Sequence, residues 1–166
     1  MKKSTVFTAL LLLICLFSLA SCSKDGRVDE ETFKSSTDVS DDNVTIFLTY
    51  AENGFEYKET VKIVEGVAYV KLEFSDDWFD VKAENYLDAL VAMADCYSEF
   101  KYKKGSYTAS EISTTDALGE TIVYKSVSLT FDKDGRLESA YYEVEDGTSV
   151  ISYSYSFENY GFSVEP

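Results

Sequence analysis

The feature that most limits what this chain can fold into is the two-residue alternation of Ile151-Ser152-Tyr153-Ser154-Tyr155-Ser156-Phe157. Successive side chains leave a strand on opposite faces, so Ile151, Tyr153, Tyr155 and Phe157 share one face and three serines the other. Such a strand is half-buried and needs partners. The preceding segments supply them. Val127, Leu129 and Phe131 alternate within 121–132, and Leu137 to Glu145 runs back after "DKDG". "EDG" then turns into the last strand. Asp-Gly between alternating runs is a strong short-range hairpin signal. The same pattern holds nearer the N-terminus: Val44, Ile46, Leu48 and Tyr50, then Phe55, Tyr57, Val61 and Ile63, then a Glu65-Gly66 turn and Ala68, Val70, Leu72 and Phe74. A further strand is expected from Tyr107 to Ile112. One helix interrupts the strands. Asp80 serves as its expected N-cap, and Tyr86, Leu87, Leu90, Val91, Ala94 and Tyr97 recur at i, i+3/i+4 spacing. Residues 43–166 therefore read as one α+β domain of about 120 residues, enough for a single modest core.

The N-terminus has a different character. Lys2 and Lys3 precede an apolar run from Val6 to Ala20, which is shorter than the roughly 20 residues a membrane-spanning helix needs. Its end, Leu19-Ala20-Ser21-Cys22, resembles the lipobox of bacterial lipoproteins. The resemblance implies that residues 1–21 are a signal peptide and that Cys22 carries a diacylglycerol anchor. Two acyl chains hold a protein on a membrane stably where one does not. The expected location is the cell envelope, with the domain on the extracytoplasmic side. Residues 22–42 carry only Val28, Phe33 and Val39 as sizeable apolar residues after the cysteine. They are expected to form a disordered tether with a span of some 25 Å.

Charge and chemistry narrow the function. The chain has 15 basic and 30 acidic residues, net −15. Such a surface repels nucleic acid and anionic headgroups. There is no histidine, which removes the usual triad base and the commonest transition-metal ligand. With Cys15 in the signal and Cys22 taken by lipid, Cys96 is left without an intrachain disulfide partner and is read as a small apolar residue of the helix stripe. Ser98 to Lys101 fits S-x-x-K but lacks the S-D-N partner that penicillin-binding chemistry needs. Asp132-Lys133-Asp134-Gly135 has its glycine too early for a calcium loop and reads as a hairpin turn. No cofactor or metal is implied, and an enzyme is not expected.

The C-terminal half, "VSLTFDKDGRLESAYYEVEDG…ISYSYSFENYGFSVEP", resembles the close of LolA/LppX-like envelope lipoproteins. The matching residues are Phe157, Tyr160, Gly161, Val164 and Pro166. The resemblance implies a curved antiparallel half-barrel packed by helix, binding acyl chains between sheet and helix. The expected function is that of a lipid-anchored, non-catalytic binding protein holding a hydrophobic or amphiphilic ligand, lined by Leu87, Leu90, Val91, Tyr153, Tyr155 and Phe157. An alternative follows from the tyrosine surplus. Tyr124, Tyr141, Tyr142, Tyr153 and Tyr155 lie within strands, and an aromatic β-face could contact a protein or glycan partner.

Overall fold

The computed structural model describes residues 26–116, 118–147 and 149–161. Cys22, Val164 and Pro166 lie outside them. Helix α1 (Glu30–Thr37) comes first, followed by strands β1 (Val44–Glu52), β2 (Phe55–Val64), β3 (Val67–Leu72) and β4 (Phe79–Lys82). Two short helices follow, α2 (Ala83–Tyr86) and α3 (Asp88–Ala94), then a 3₁₀ turn at Tyr97–Glu99. The chain closes with β5 (Lys101–Lys103), β6 (Ser106–Thr115), β7 (Thr121–Phe131), β8 (Leu137–Asp146) and β9 (Ser149–Glu158).

All nine strands form one open, curved antiparallel sheet in the order β4-β3-β2-β1-β9-β8-β7-β6-β5. Two sequential meanders, β1 to β4 and β5 to β9, are joined at the centre by the pairing of β1 with β9, which sets Leu48 opposite Tyr155. The alternation selects the face. Ile46 and Leu48, Val61 and Ile63, Val70, Leu129, Tyr155 and Phe157 are buried on the helix-packed side. Ser154, Ser156 and Phe47 face outward. The turns follow their chemistry. Asn53-Gly54 has φ of 52° and 82°, and Glu65-Gly66 has 50° and 78°. Two successive positive φ values give the backbone twist that a tight hairpin needs.

Regular alternation breaks inside β7, with a purpose. Tyr124 is buried, and so are Val127, Leu129 and Phe131. A step of three from Tyr124 to Val127 would put one of them outside a regular strand. Ser126 absorbs the mismatch at φ 53°, and the register against β8 slips between Lys125 and Ser128. Such a bulge bends the strand and increases its twist.

Two expectations are corrected. The single helix from Asp80 is instead β4 followed by two short helices. Asp80 pairs with Tyr69 inside β4, and Lys82 precedes α2. Leu87, at φ −107° and ψ 24°, separates α2 from α3. Leu87 and Leu90 both reach the core, where they are fully enclosed.

The expected tether is also overturned from Gly26 onward. The Asp29 carboxylate accepts the Thr32 amide at 2.8 Å and caps α1. Phe33 is wholly buried, with ring centroids 5.0–5.5 Å from Phe100, Tyr97, Tyr107 and Phe131. Tyr107 Oη receives the Val28 amide at 2.9 Å and donates to the Val28 carbonyl. Apolar content was too sparse to announce this helix, but one ring in an aromatic socket supplies what the count lacks. Residues 26–42 belong to the domain.

The entry of this segment is tight. Gly26 sits at φ 73°, and a Cβ there would lie 2.5 Å from the Phe131 carbonyl oxygen. Gly26→Ala should therefore lower stability by about 1–3 kcal/mol through backbone strain. A urea midpoint unchanged from the parent would contradict this packing.

Candidate functional site

The hairpin registers build a ladder of tyrosines. Tyr57 of β2 lies opposite Tyr50 of β1, Tyr50 opposite Tyr153 of β9, and Tyr153 opposite Tyr142 of β8. Their ring centroids follow at 5.0, 6.1 and 5.0 Å, with planes within 17–28° of parallel. Neighbouring strands are about 4.8 Å apart. Rings stacked at nearly that spacing stand upright on the sheet, face to face. What they present to the space above is therefore ring edge and hydroxyl, not flat face.

The ladder grades from core to mouth. Tyr142 and Tyr155 are buried and share a 2.9 Å hydroxyl–hydroxyl hydrogen bond. Tyr50 and Tyr153 are half-buried, and Tyr57 is 43% exposed. Tyr124 continues the set on β7, edge-on to Tyr142 at 5.3 Å.

The helices cover only part of this face, and a groove runs where they stop. Its walls are Leu48, Tyr50, Glu59, Tyr142, Tyr153 and Tyr155 of the sheet, with Tyr86 and Asp88 of the helices; its volume is about 310 Å³. A second hollow of about 490 Å³ adjoins it through Asp88 and extends past Val91, Thr114, Ile122 and Tyr124. The Tyr86 hydroxyl donates to Glu59 and so ties α2 to β2 across the groove. Asp88 accepts the Ala89 amide at 2.7 Å.

The electrostatics favour hydrogen-bond donation by the walls. Burial, then the Glu59 carboxylate, pushes the Tyr86 phenol far above its usual range. Burial raises Tyr142 and Tyr155 as well, and Tyr50 to a lesser degree. These phenols stay protonated at neutral pH, so they act as donors and not as bases. Burial also raises the Cys96 thiol, whose sulfur donates to the Ala92 carbonyl at 3.5 Å.

Comparison with models of known protein families and with curated proteins gave no match.

The expected ligand residues divide. Tyr153 and Tyr155 line the groove, and Val91 stands at the lip of the adjoining hollow. Leu87, Leu90 and Phe157 do not line it. They are enclosed in the core with Met93, and Phe157 lies against the Tyr155 ring at 6.1 Å. The centre of the interface between sheet and helices is filled by side chains, so the opening lies at its margin. Sequence reasoning missed Tyr50, Tyr57, Glu59, Tyr86 and Asp88. The Asn53-Gly54 turn could have located two of them, because a two-residue hairpin there puts Tyr50 against Tyr57.

The other motifs are local structure. Asp132 accepts the amides of Asp134 and Arg136 at 2.8 and 2.9 Å, which makes "DKDG" a closed turn. Among the described residues no cluster of three or more carboxylate or thiol groups could hold a metal ion. None of their helices is long and apolar enough to cross a membrane.

Proposed function

We propose that this chain is a lipid-anchored envelope lipoprotein, held to the membrane through Cys22, that binds a small amphiphilic ligand in the tyrosine-walled groove without transforming it. The observation that carries the reading is the pairing of upright tyrosines with two carboxylates, Glu59 and Asp88, in one open groove. Apolar ring edges and Leu48 suit a short hydrocarbon portion. The carboxylates and the net charge of −15 favour a head that donates hydrogen bonds or carries positive charge, and disfavour an anionic one. A fully enclosed acyl chain is less favoured, because Leu87 and Leu90 occupy the space it would need.

The alternative, an aromatic β-face displayed to a protein or glycan, has less support. Tyr124, Tyr142 and Tyr155 are buried on the helix side, and the outward face of β9 carries Ser154 and Ser156.

Three probes with one tail and different heads test the proposal: octylammonium, octyl glucoside and octanoate, titrated into the protein and followed by tyrosine NMR shifts. Octylammonium and octyl glucoside should perturb Tyr50, Tyr153 and Tyr155, and octanoate should bind least. Glu59→Gln should weaken octylammonium by about tenfold, the loss expected for one charge-assisted hydrogen bond, and leave octyl glucoside nearly unchanged. Preferential binding of octanoate, or shifts confined to residues outside the groove, would overturn the reading.

A further inference from the structure

The tyrosine ladder stops at β2. Tyr142, Tyr153, Tyr50 and Tyr57 stand on β8, β9, β1 and β2, and the next strand in the sheet is β3. Tyr50 stacks on the Tyr57 ring at 5.0 Å. Among the described residues no second ring pairs with Tyr57, which is 43% exposed.

The register shows what stands on the β3 side instead. Glu59 pairs with Leu72, and the Glu73 amide donates to the Lys58 carbonyl at 3.0 Å, which continues the ladder of strand hydrogen bonds by one step. One residue further, Phe74 takes the position opposite Tyr57. Its ring does not complete the stack, because it is 90% exposed. The chain turns away at this point. The Ser75 amide donates to the Leu72 carbonyl at 3.1 Å, and the Asp77 amide donates to Ser75 Oγ at 3.1 Å. These bonds fix the turn that carries Phe74 outward.

The hollow left beside Tyr57 has a volume of about 170 Å³. Tyr50, Tyr57, Leu72 and Phe74 give it apolar walls, and it is continuous with the groove, because Tyr50 and Glu59 line both. Its other polar lining is Lys58, Glu73 and Ser75, and Lys58 is paired with Glu56 at 3.1 Å. An apolar cavity of about 150 Å³ is known to admit one benzene ring. A linear chain would gain here only from the area it covers. A planar ring would also stack, offset, on Tyr57.

Glu59 adds a charge requirement at the junction. Tyr86 engages its Oε2, which leaves Oε1 to accept from a ligand. Glu59 and Leu72 are cross-strand neighbours, with Cβ atoms about 5 Å apart. A donor held by the carboxylate and a ring resting on Leu72 must therefore be joined by a short linker.

We infer that the apolar part of the ligand is a single aromatic ring on a short linker from a primary ammonium: Glu59 takes the ammonium, and the ring extends the tyrosine ladder on the β3 side of Tyr57. This rests on the groove-binding function proposed above and narrows its ligand class to small arylalkylamines.

The full chain is titrated with 2-phenylethylammonium, with 2-cyclohexylethylammonium as a control of equal head and similar size, and with octylammonium as the linear reference. Tyrosine and phenylalanine NMR shifts report binding. The aryl amine should bind about fivefold more tightly than the cyclohexyl one, the factor that corresponds to one offset aromatic pair. It should shift Tyr57 and Phe74 most. Tyr57→Leu should bring the two amines to equal affinity, and Glu59→Gln should weaken both about tenfold. Phe74→Ala should weaken the aryl amine about threefold through the apolar area no longer covered. Equal binding of the two cyclic amines to the parent, or a preference that survives Tyr57→Leu, overturns the ring site. Tighter binding to Phe74→Ala overturns it too, since the Phe74 ring would then be filling the hollow itself. In each of these cases the groove reading stands if octylammonium still binds with its dependence on Glu59. If none of the three amines perturbs Tyr50, Tyr57 or Tyr153, both fall.

Discussion

Phe33→Ala is expected to destabilise the domain by about 3–5 kcal/mol, the loss that accompanies truncation of a fully buried aromatic ring. Phe33 is completely enclosed and contributes four aromatic contacts, to Tyr97, Phe100, Tyr107 and Phe131. These partners come from the 3₁₀ turn, the segment before β5, β6 and β7. One side chain thus closes the core over the C-terminal half of the sheet. The cavity left by alanine would also loosen α1, which carries no other large apolar residue. Typical domains have only 5–15 kcal/mol in hand, so the loss is a large share of the total. Urea unfolding followed by circular dichroism measures it. A change below about 1 kcal/mol, the size of an ordinary surface substitution or less, would mean that α1 is detached and that residues 26–42 behave as a tether after all.

That helix shows where the sequence was legible and where it was not. Seven strands announced themselves because each carries its own information: alternation selects the face, and the Glu-Gly and Asp-Gly turns select the register; the short β4 and β5 carry too few residues to do so. Residues 151–157 needed no outside help to be placed. Helix α1 has a single buried ring among eight residues, with Thr37 the other enclosed position. Its stability comes from a socket built by residues 60 to 100 positions later, and local composition cannot register that. The helix after β4 was misjudged for the opposite reason. Its apolar stripe is real, but the stripe is compatible with one long helix or with two short ones broken at Leu87, and only the shape of the core decides between them.

The groove was half legible for related reasons. The tyrosine surplus was visible, and Tyr153 and Tyr155 were correctly placed on the helix side. Leu87 and Leu90 looked equally suited to line a cavity, because a stripe of apolar residues reads the same whether it faces ligand or other side chains. What distinguishes the cases is how far the helices extend over the sheet. They stop at Tyr86 and Asp88, and there the ladder is left uncovered. The carboxylates that give the groove its chemical preference come from separate elements, Glu59 from β2 and Asp88 from α3. In a chain with 30 acidic residues no spacing rule could have singled them out.

The same tyrosines should make the domain collapse abruptly in alkali. Burial holds the phenols of Tyr86, Tyr142, Tyr155 and Tyr160 well above the value of about 10 that they take in an unfolded chain. Tyr86 donates its proton to Glu59 and Tyr160 donates to the Leu137 carbonyl at 2.7 Å, so ionisation would remove a donor as well as bury a charge. Tyr142 and Tyr155 share one hydroxyl pair that cannot tolerate two anions. A group whose folded pKa is raised contributes its full share of stability below the unfolded pKa and loses it as pH climbs towards the folded one. The unfolded chain here binds fewer protons above pH of about 10, so stability must fall there. Each group removes about 1.4 kcal/mol per pH unit, and four together remove about 5–6. Against a total of about 5–15 kcal/mol, unfolding should be complete within roughly one to three pH units above 10. Tyrosinate absorbance and far-ultraviolet circular dichroism, recorded on the same samples, give the test. These four phenols should ionise in one steep step that coincides with loss of the sheet signal. If all thirteen tyrosines titrate gradually while the circular dichroism stays constant, the phenols are in contact with water and the ladder is not packed as described.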